Sequence, residues 1–404
     1  MTDTSGAGVV VGVGTVRRWA PAAAGCGFLL VAALLAPHEA RAAAAQDWPP
    51  FVLVAGLLLV GLVADEDHLF AAGGHALARL APNGVLLYLG SAVLVVLVTT
   101  LLNLDTSVTF LTPVLVYAGR SRGEGQVAPL LYACLLLSNA GSLLLPGSNL
   151  TNLIVLGHLH LSGRSFLDHM ALPALAAATV TALVVGAVHH RALRTTIVSA
   201  TEPERPVLGV GLVAIGVVTV LVVALRAPAL PVAAVGLVAV LVRAAGRSGA
   251  GGSSASAGAR DQARERARAA LQVLGVPVLV GLFGLAVALG TLGRSWSGPA
   301  TLLSHLDAWG TAAFAAVTSV LVNNLPAASL LAARQPPHPF ALLIGLNVGP
   351  NLFVTGSLAW ILWLRAAKSA GGRPDVRRAS LLGVASVPFA IAAAVGVLVL
   401  SGAS

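Results

Sequence analysis

Long apolar runs, most of them near the length of one bilayer crossing, dominate the chain. They fall at about 20–36, 48–64, 84–118, 127–161, 171–188, 207–225, 228–243, 270–291, 309–333, 339–364 and 380–401. A helix needs roughly 20 apolar residues to cross hydrocarbon. The pattern predicts an all-α polytopic membrane protein. Two runs are broken midway by polar residues, NLDTS at 103–107 and NNLP at 323–326. Two others carry a polar patch halfway, SNAGSLLLPGSNLTN at 138–152 and LNVGPNLFVTGS at 346–357.

The interruptions are paired. Asn139-Ala140-Gly141 resembles Asn347-Val348-Gly349 at an offset of 208, and Gly147-Ser148 resembles Gly356-Ser357 at 209. In both cases a broken run precedes a patched run. The chain therefore divides into an N-terminal helix and loop (1–47), a first repeat (48–206) and a second repeat (207–401). A Gly-, Ser- and Arg-rich segment at 244–268 reads as a flexible cytoplasmic linker.

Charge orients this arrangement. If each broken run is a hairpin that enters and leaves on one side, and the N-terminus is cytoplasmic, the basic loops gather inside. Only Arg41, Arg164, Arg226, Arg294 and Arg334, of 24 Lys and Arg residues, then lie outside. Positive residues concentrate on the cytoplasmic side of membrane proteins. Making 84–118 two full spans would turn the basic loops after it outward.

Composition narrows the classes further. The chain is 57% hydrophobic and 10% charged, where a soluble domain is about a quarter charged. The net charge of +9 lies in loops between apolar runs, so no nucleic-acid partner is expected. Cys26 and Cys134 are far apart and suggest neither a disulfide nor a metal site. The first run lacks a clear cleavage site and reads as a membrane helix. His158 and His160 sit at a helix end and read as interfacial. Asp65, Glu66, Asp67 and His68 open a short cytoplasmic surface helix. Trp360 and Trp363 are expected against lipid or the scaffold. No cofactor or metal is implied, and no acid–base constellation suggests an enzyme.

Backbone without helical hydrogen bonds is tolerated at membrane depth only in protein or beside water. Repeated discontinuous helices point to a transport site near the midplane. Asn, Ser and Thr suit such breaks, because they hydrogen-bond both ways and tolerate irregular backbone. The candidate substrate- and ion-binding residues are therefore Asn103, Asp105, Thr106 and Ser107 in the first broken run. Asn139, Ser148, Asn149, Thr151 and Asn152 follow in the first patch. Asn323 and Asn324 lie in the second broken run. Asn347, Asn351, Thr355 and Ser357 complete the second patch. Asp105 reads as the only acid deep in an apolar run, and such a residue is a functional candidate by default. It suits a proton carrier, or a cap on the helix that starts there.

The segments LLNLDTSVTFLTPVLV, LLLSNAGSLLLPGSNLTNLIV, SVLVNNLPAASLLA and LIGLNVGPNLFVTGSLAWILWLR resemble the ArsB-type arsenite permeases. Those belong to an ion transporter superfamily with NhaD-type antiporters and divalent-anion/sodium symporters. The resemblance implies two inverted repeats in an elevator-type carrier, often a homodimer, in the inner membrane. It implies export of arsenite or antimonite in exchange for protons, with hairpin tips at Asn103–Ser107 and Asn323–Pro326. It leaves room for a cytoplasmic ATPase partner on the basic loops. A sodium–proton antiporter or inorganic-anion transporter on the same fold is the alternative. Dicarboxylate symporters carry Ser-Asn-Thr at both tips; this chain has Leu104-Asp105-Thr106 and Asn323-Asn324-Leu325-Pro326. No deep Arg or Lys is expected to meet a dianion, so a neutral hydroxide such as As(OH)3 fits better.

Overall fold

The computed structural model describes residues 5–157, 161, 163–194, 209–225, 227–248 and 270–402. Among them every regular element is helical. The first half starts with α1 (Ser5–Leu35), α2 (Pro37–Glu66) and α3 (Leu69–Leu80). A helical hairpin follows, α4 (Gly84–Leu101) and α5 (Leu104–Arg120). Next, α6 (Glu124–Gly141) gives way to irregular backbone with a 3-10 turn at Pro146–Ser148. Helix resumes in α7 (Leu150–Leu156), α8 (Gly163–Val188), α9 (His190–Leu193), α10 (Val210–Ala224) and α11 (Ala229–Ser248).

The second half opens with α12 (Val276–Ser295) and α13 (Gly298–Ser304). Its hairpin is α14 (Ala308–Val322) and α15 (Asn324–Leu331). Then α16 (Pro339–Val348) breaks into a 3-10 turn at Gly349–Leu352, before α17 (Leu358–Ser369) and α18 (Val376–Leu400). Among the described residues, five helical stretches are long and apolar enough to cross a membrane: Pro37–Glu66, Gly84–Leu101, Gly163–Val188, Ala270–Ser295 and Val376–Leu400.

The helices share one continuous buried core, in which two groups, or bodies, can be traced. In one, α2 lies against α10, α11 and α12, and α12 lies along α1. Small residues let these helices approach closely. A Cβ on Gly236 would stand 2.4 Å from the carbonyl oxygen of Gly56 on α2. The other body holds both hairpins with α6, α7, α8, α16, α17 and α18. The bodies meet where α12 packs on α15 and where α2 packs on α5 and α7.

Several expectations change. Helix α2 starts at Pro37, not near 48, because Pro is well placed in a first turn. Residues read as a loop are thus helical, and Asp47 is buried at 1% exposure. Asp105 is therefore not the only deep acid. Arg294, read as a loop residue, lies near the end of α12, where its guanidinium meets Gln46 of α2.

In the acidic 65–68 stretch Asp65 and His68 are exposed, as expected, but Asp67 is not. Asp67 is fully buried, accepts from the Gly211 N–H at 2.7 Å, and pairs with Arg243 at 2.8 Å. Trp360 and Trp363 do not face lipid. Both are fully buried, and their indole N–H groups donate to the Pro350 and Leu131 carbonyls at 2.8 and 2.9 Å. Helix α11 runs to Ser248, into the start of the expected linker; 249–269 lie outside the described residues, as do His158 and His160.

Candidate functional site

Each hairpin turns on an asparagine. Asn103 caps α5, its side-chain oxygen accepting from the Thr106 N–H at 2.7 Å. Asn323 caps α15, accepting from the Leu325 N–H at 3.3 Å. These caps satisfy backbone donors that a helix start leaves free. Asn103, not Asp105, is thus the cap of the first hairpin, which leaves the Asp105 carboxylate uncommitted. Asn323 also has a φ of 75°, a left-handed value that Asn tolerates better than most residues.

The irregular segments are fastened to the hairpins in the same way. The Ser148 hydroxyl donates to the Thr100 carbonyl at 3.1 Å, three residues before Asn103. The Thr355 hydroxyl donates to the Val320 carbonyl at 2.7 Å, three residues before Asn323. The second junction is tighter, because the Asn324 N–H also donates to the Gly356 carbonyl at 2.8 Å. Each hairpin end thereby gains a partner for an orphan carbonyl in place of water.

An asparagine network joins the halves behind the tips. Asn139 on α6 donates to the Asn351 side-chain oxygen at 2.8 Å. Asn351 donates back to the Leu136 carbonyl at 3.0 Å. On α16, Asn347 donates to the Asn152 side-chain oxygen at 2.9 Å and accepts from Ser142 at 3.1 Å. Its oxygen also accepts from Asn149. Asn152 in turn donates to the Ser142 carbonyl at 2.7 Å. Asn139, Asn152, Asn347 and Asn351 therefore serve as ties inside the protein, where such bonds hold helices together.

A narrow cleft lies in front of the network. Asp105, Asn149, Asn323, Asn324 and Ser357 bring polar groups to it, among leucines of both hairpins and Leu279 and Leu282 of α12. The α12 leucines could not be recognised as site residues from sequence, since nothing distinguishes them from other lipid-length leucines. Asp105 is 5% exposed. Among the described residues, no donor bonds its carboxylate and no cation pairs with it. The lining described includes no Lys, Arg or His.

Four candidates carry buried unpartnered polar atoms, and of these only Ser357 lines the cleft. The Asn103 side-chain nitrogen and the hydroxyls of Thr106, Thr151 and Ser357 are buried without a hydrogen bond. Leaving such groups unsatisfied costs about 1–3 kcal/mol each. The remaining sequence candidates stand apart from the cleft. Ser107 turns to Ser138 at 3.4 Å, Ser148 is spent on Thr100, and Thr355 is exposed beside Val320.

Residues 8–345 match the family model described as "Citrate transporter" (CitMHS), and the chain belongs to that family. Among solved structures it is similar to the YdaH transporter of Alcanivorax borkumensis, whose topology is described as unusual. The TM-score is 0.52 at 16% identity, over 89% of this chain and 86% of that one. At that identity the likeness concerns the fold alone. No curated protein matches the chain. Family and fold together make this a multi-pass, all-α membrane transporter.

Proposed function

We propose that this member of the citrate transporter family exports a small neutral hydroxide, arsenite or antimonite, in exchange for protons. The supporting observation is Asp105: a buried carboxylate facing the cleft between the hairpin tips, with no protein partner among the described residues. An intramembrane acid of that kind suits a proton that is bound on one side and released on the other. Asn324 and Ser357 offer donors and acceptors that suit the O–H groups of As(OH)3. The two bodies suit an elevator motion, with the hairpins and broken helices sliding against α2 and α12. A homodimer and a cytoplasmic N-terminus complete this reading.

The family description brings citrate forward as a cargo. A bare citrate would meet the Asp105 carboxylate and no cationic side chain among the described lining, which disfavours it. A sodium–proton antiporter is the second reading, because a carboxylate among amide oxygens also suits a hard cation. Everted vesicles carrying the wild type separate these readings. Arsenite uptake under an imposed proton gradient, without citrate uptake, supports the first. Uptake of citrate, or sodium exchange with no arsenite movement, overturns it.

A further inference from the structure

A slot opens on the side of the body that holds the hairpins, away from the cleft. Helices α4 and α8 both pack on α6 but diverge from each other, and the space between them is a cavity of about 870 Å3. Val85, Leu89, Val93 and Leu97, four residues apart, form its α4 wall. Ala178, Ala182 and Gly186, also four apart, form its α8 wall, with buried Leu137 of α6 between them. Residues four apart share a helix face, so a row of large side chains stands opposite a row of small ones. The small row leaves depth that α4 does not fill. Tyr88 bridges the two walls and holds them at that spacing. Its ring lies against Gly186, where a Cβ would stand 3.3 Å from it, and its hydroxyl donates to the Ala182 carbonyl at 2.6 Å.

The slot is apolar along its length and basic at one end. The hydroxyls of Tyr88 and Thr100 are spent on backbone, the second on the Val96 carbonyl at 2.7 Å. His190 and Arg194, both exposed, stand at the end where α4 starts. There a Cβ on Gly84 would lie 2.6 Å from the Leu193 carbonyl. No acidic side chain lines the slot, and no carboxylate pairs with Arg194 among the described residues. Val93 and Leu183, at the rim, are 68% and 65% exposed. Helices α4 and α8 are both long and apolar enough to cross a membrane, so the slot opens into hydrocarbon.

The far end reaches the hairpin. Thr100 lines it, and the Thr100 carbonyl is the one that accepts from Ser148. From Val85 to Thr100 the α4 wall is about 22 Å long at a rise of 1.5 Å per residue. The hydrocarbon of one leaflet, half of a core about 30 Å thick, matches about 15 Å of it.

We propose that the slot binds one anionic phospholipid of the surrounding bilayer. An acyl chain lies along Leu89, Val93 and Leu97, and the headgroup phosphate rests on Arg194 and His190. Basic pockets between membrane helices recognise anionic headgroups, and the guanidinium fork matches phosphate oxygens. A zwitterionic lipid offers the same chains but brings a cation to the same cluster, so charge selects between them. The bound chain packs behind α4 and supports the hairpin arm that Ser148 fastens. The site is independent of the cargo.

The test is native mass spectrometry of the full chain in detergent, with phosphatidylglycerol and phosphatidylcholine of identical acyl chains. Preferential retention of one phosphatidylglycerol per chain is expected. Arg194→Gln should lower that preference about five-fold, the worth of one basic residue at a charged surface. Arg79→Gln, exposed on α3 but outside the slot, should leave it unchanged. Val93→Trp fills the slot and should abolish retention of both lipids, whereas Val213→Trp, equally exposed on α10, should not. Three results overturn the site: no preference for phosphatidylglycerol, equal losses in Arg194→Gln and Arg79→Gln, or unchanged retention in Val93→Trp. A dimer that Val93→Trp breaks would give the slot to a second copy of the chain, and would also overturn it.

Discussion

Asn139 and Asn347 hold equivalent places in the two halves and bond in equivalent ways. Each donates to the carbonyl four residues earlier, Leu135 at 3.3 Å and Leu343 at 2.9 Å. Each also donates to an asparagine of the other half, Asn351 at 2.8 Å and Asn152 at 2.9 Å. They differ at the side-chain oxygen, which is unpartnered in Asn139 and accepts from Ser142 and Asn149 in Asn347.

That difference predicts unequal losses. Asn347→Ala leaves more buried partners unsatisfied than Asn139→Ala, at about 1–3 kcal/mol for each group left bare. Thermal unfolding in detergent should place Asn347→Ala clearly below Asn139→Ala. Equal losses would mean that the bonds of Ser142 and Asn149 to Asn347 contribute little.

Close helix packing gives a second expectation. A Cβ on Gly345 would stand 2.1 Å from the Ala312 carbonyl, while one on Gly27 would meet nothing within 4 Å. Gly345→Ala should destabilise by about 1–3 kcal/mol through overpacking. Gly27→Ala should be neutral or slightly stabilising, since Ala is the better helix former. The same unfolding assay compares them.

The Asp67–Arg243 pair should behave as a buried ion pair. Arg243→Gln strands the Asp67 charge, at a cost of about 3 kcal/mol. Adding Asp67→Asn should restore part of that stability, because the stranded charge is gone. A double variant no better than Arg243→Gln alone would show that the Gly211 N–H bond, not the ion pair, is what matters at Asp67.

The hairpin fastenings predict local mobility. Thr355→Val and Ser148→Ala each remove one hydroxyl bond to a hairpin. Amide exchange should rise at residues near Val320 in the first and near Thr100 in the second. The rise should be smaller in Thr355→Val, because the Asn324 N–H bond to the Gly356 carbonyl remains. Equal rises would mean that the backbone bond adds nothing.

Much of this was legible in the residues. The apolar lengths gave the helices, and the polar breaks at Asn103, Asn323, Gly147 and Gly349 fall where the structure departs from helix or turns. The paired asparagines were visible by their offset, but not their division of labour. Whether an Asn faces a cleft or a neighbouring helix depends on packing between segments some 200 residues apart, as in Asn139 with Asn351. Asp47 was missed for a simpler reason: its flanking Ala-rich segment looked too polar to span, yet it continues α2. Arg294 was missed with it, because a cation near a helix end reads as a loop anchor until its partner is known.

The most direct test concerns Asp105. Vesicles of wild type and Asp105→Asn, matched for folded protein, would be compared for proton release into a weakly buffered medium on adding arsenite. Protons should be released by the wild type and not by Asp105→Asn, which keeps the shape of the side chain but cannot carry the proton. Equal release from both would contradict the role of Asp105 as the coupling group.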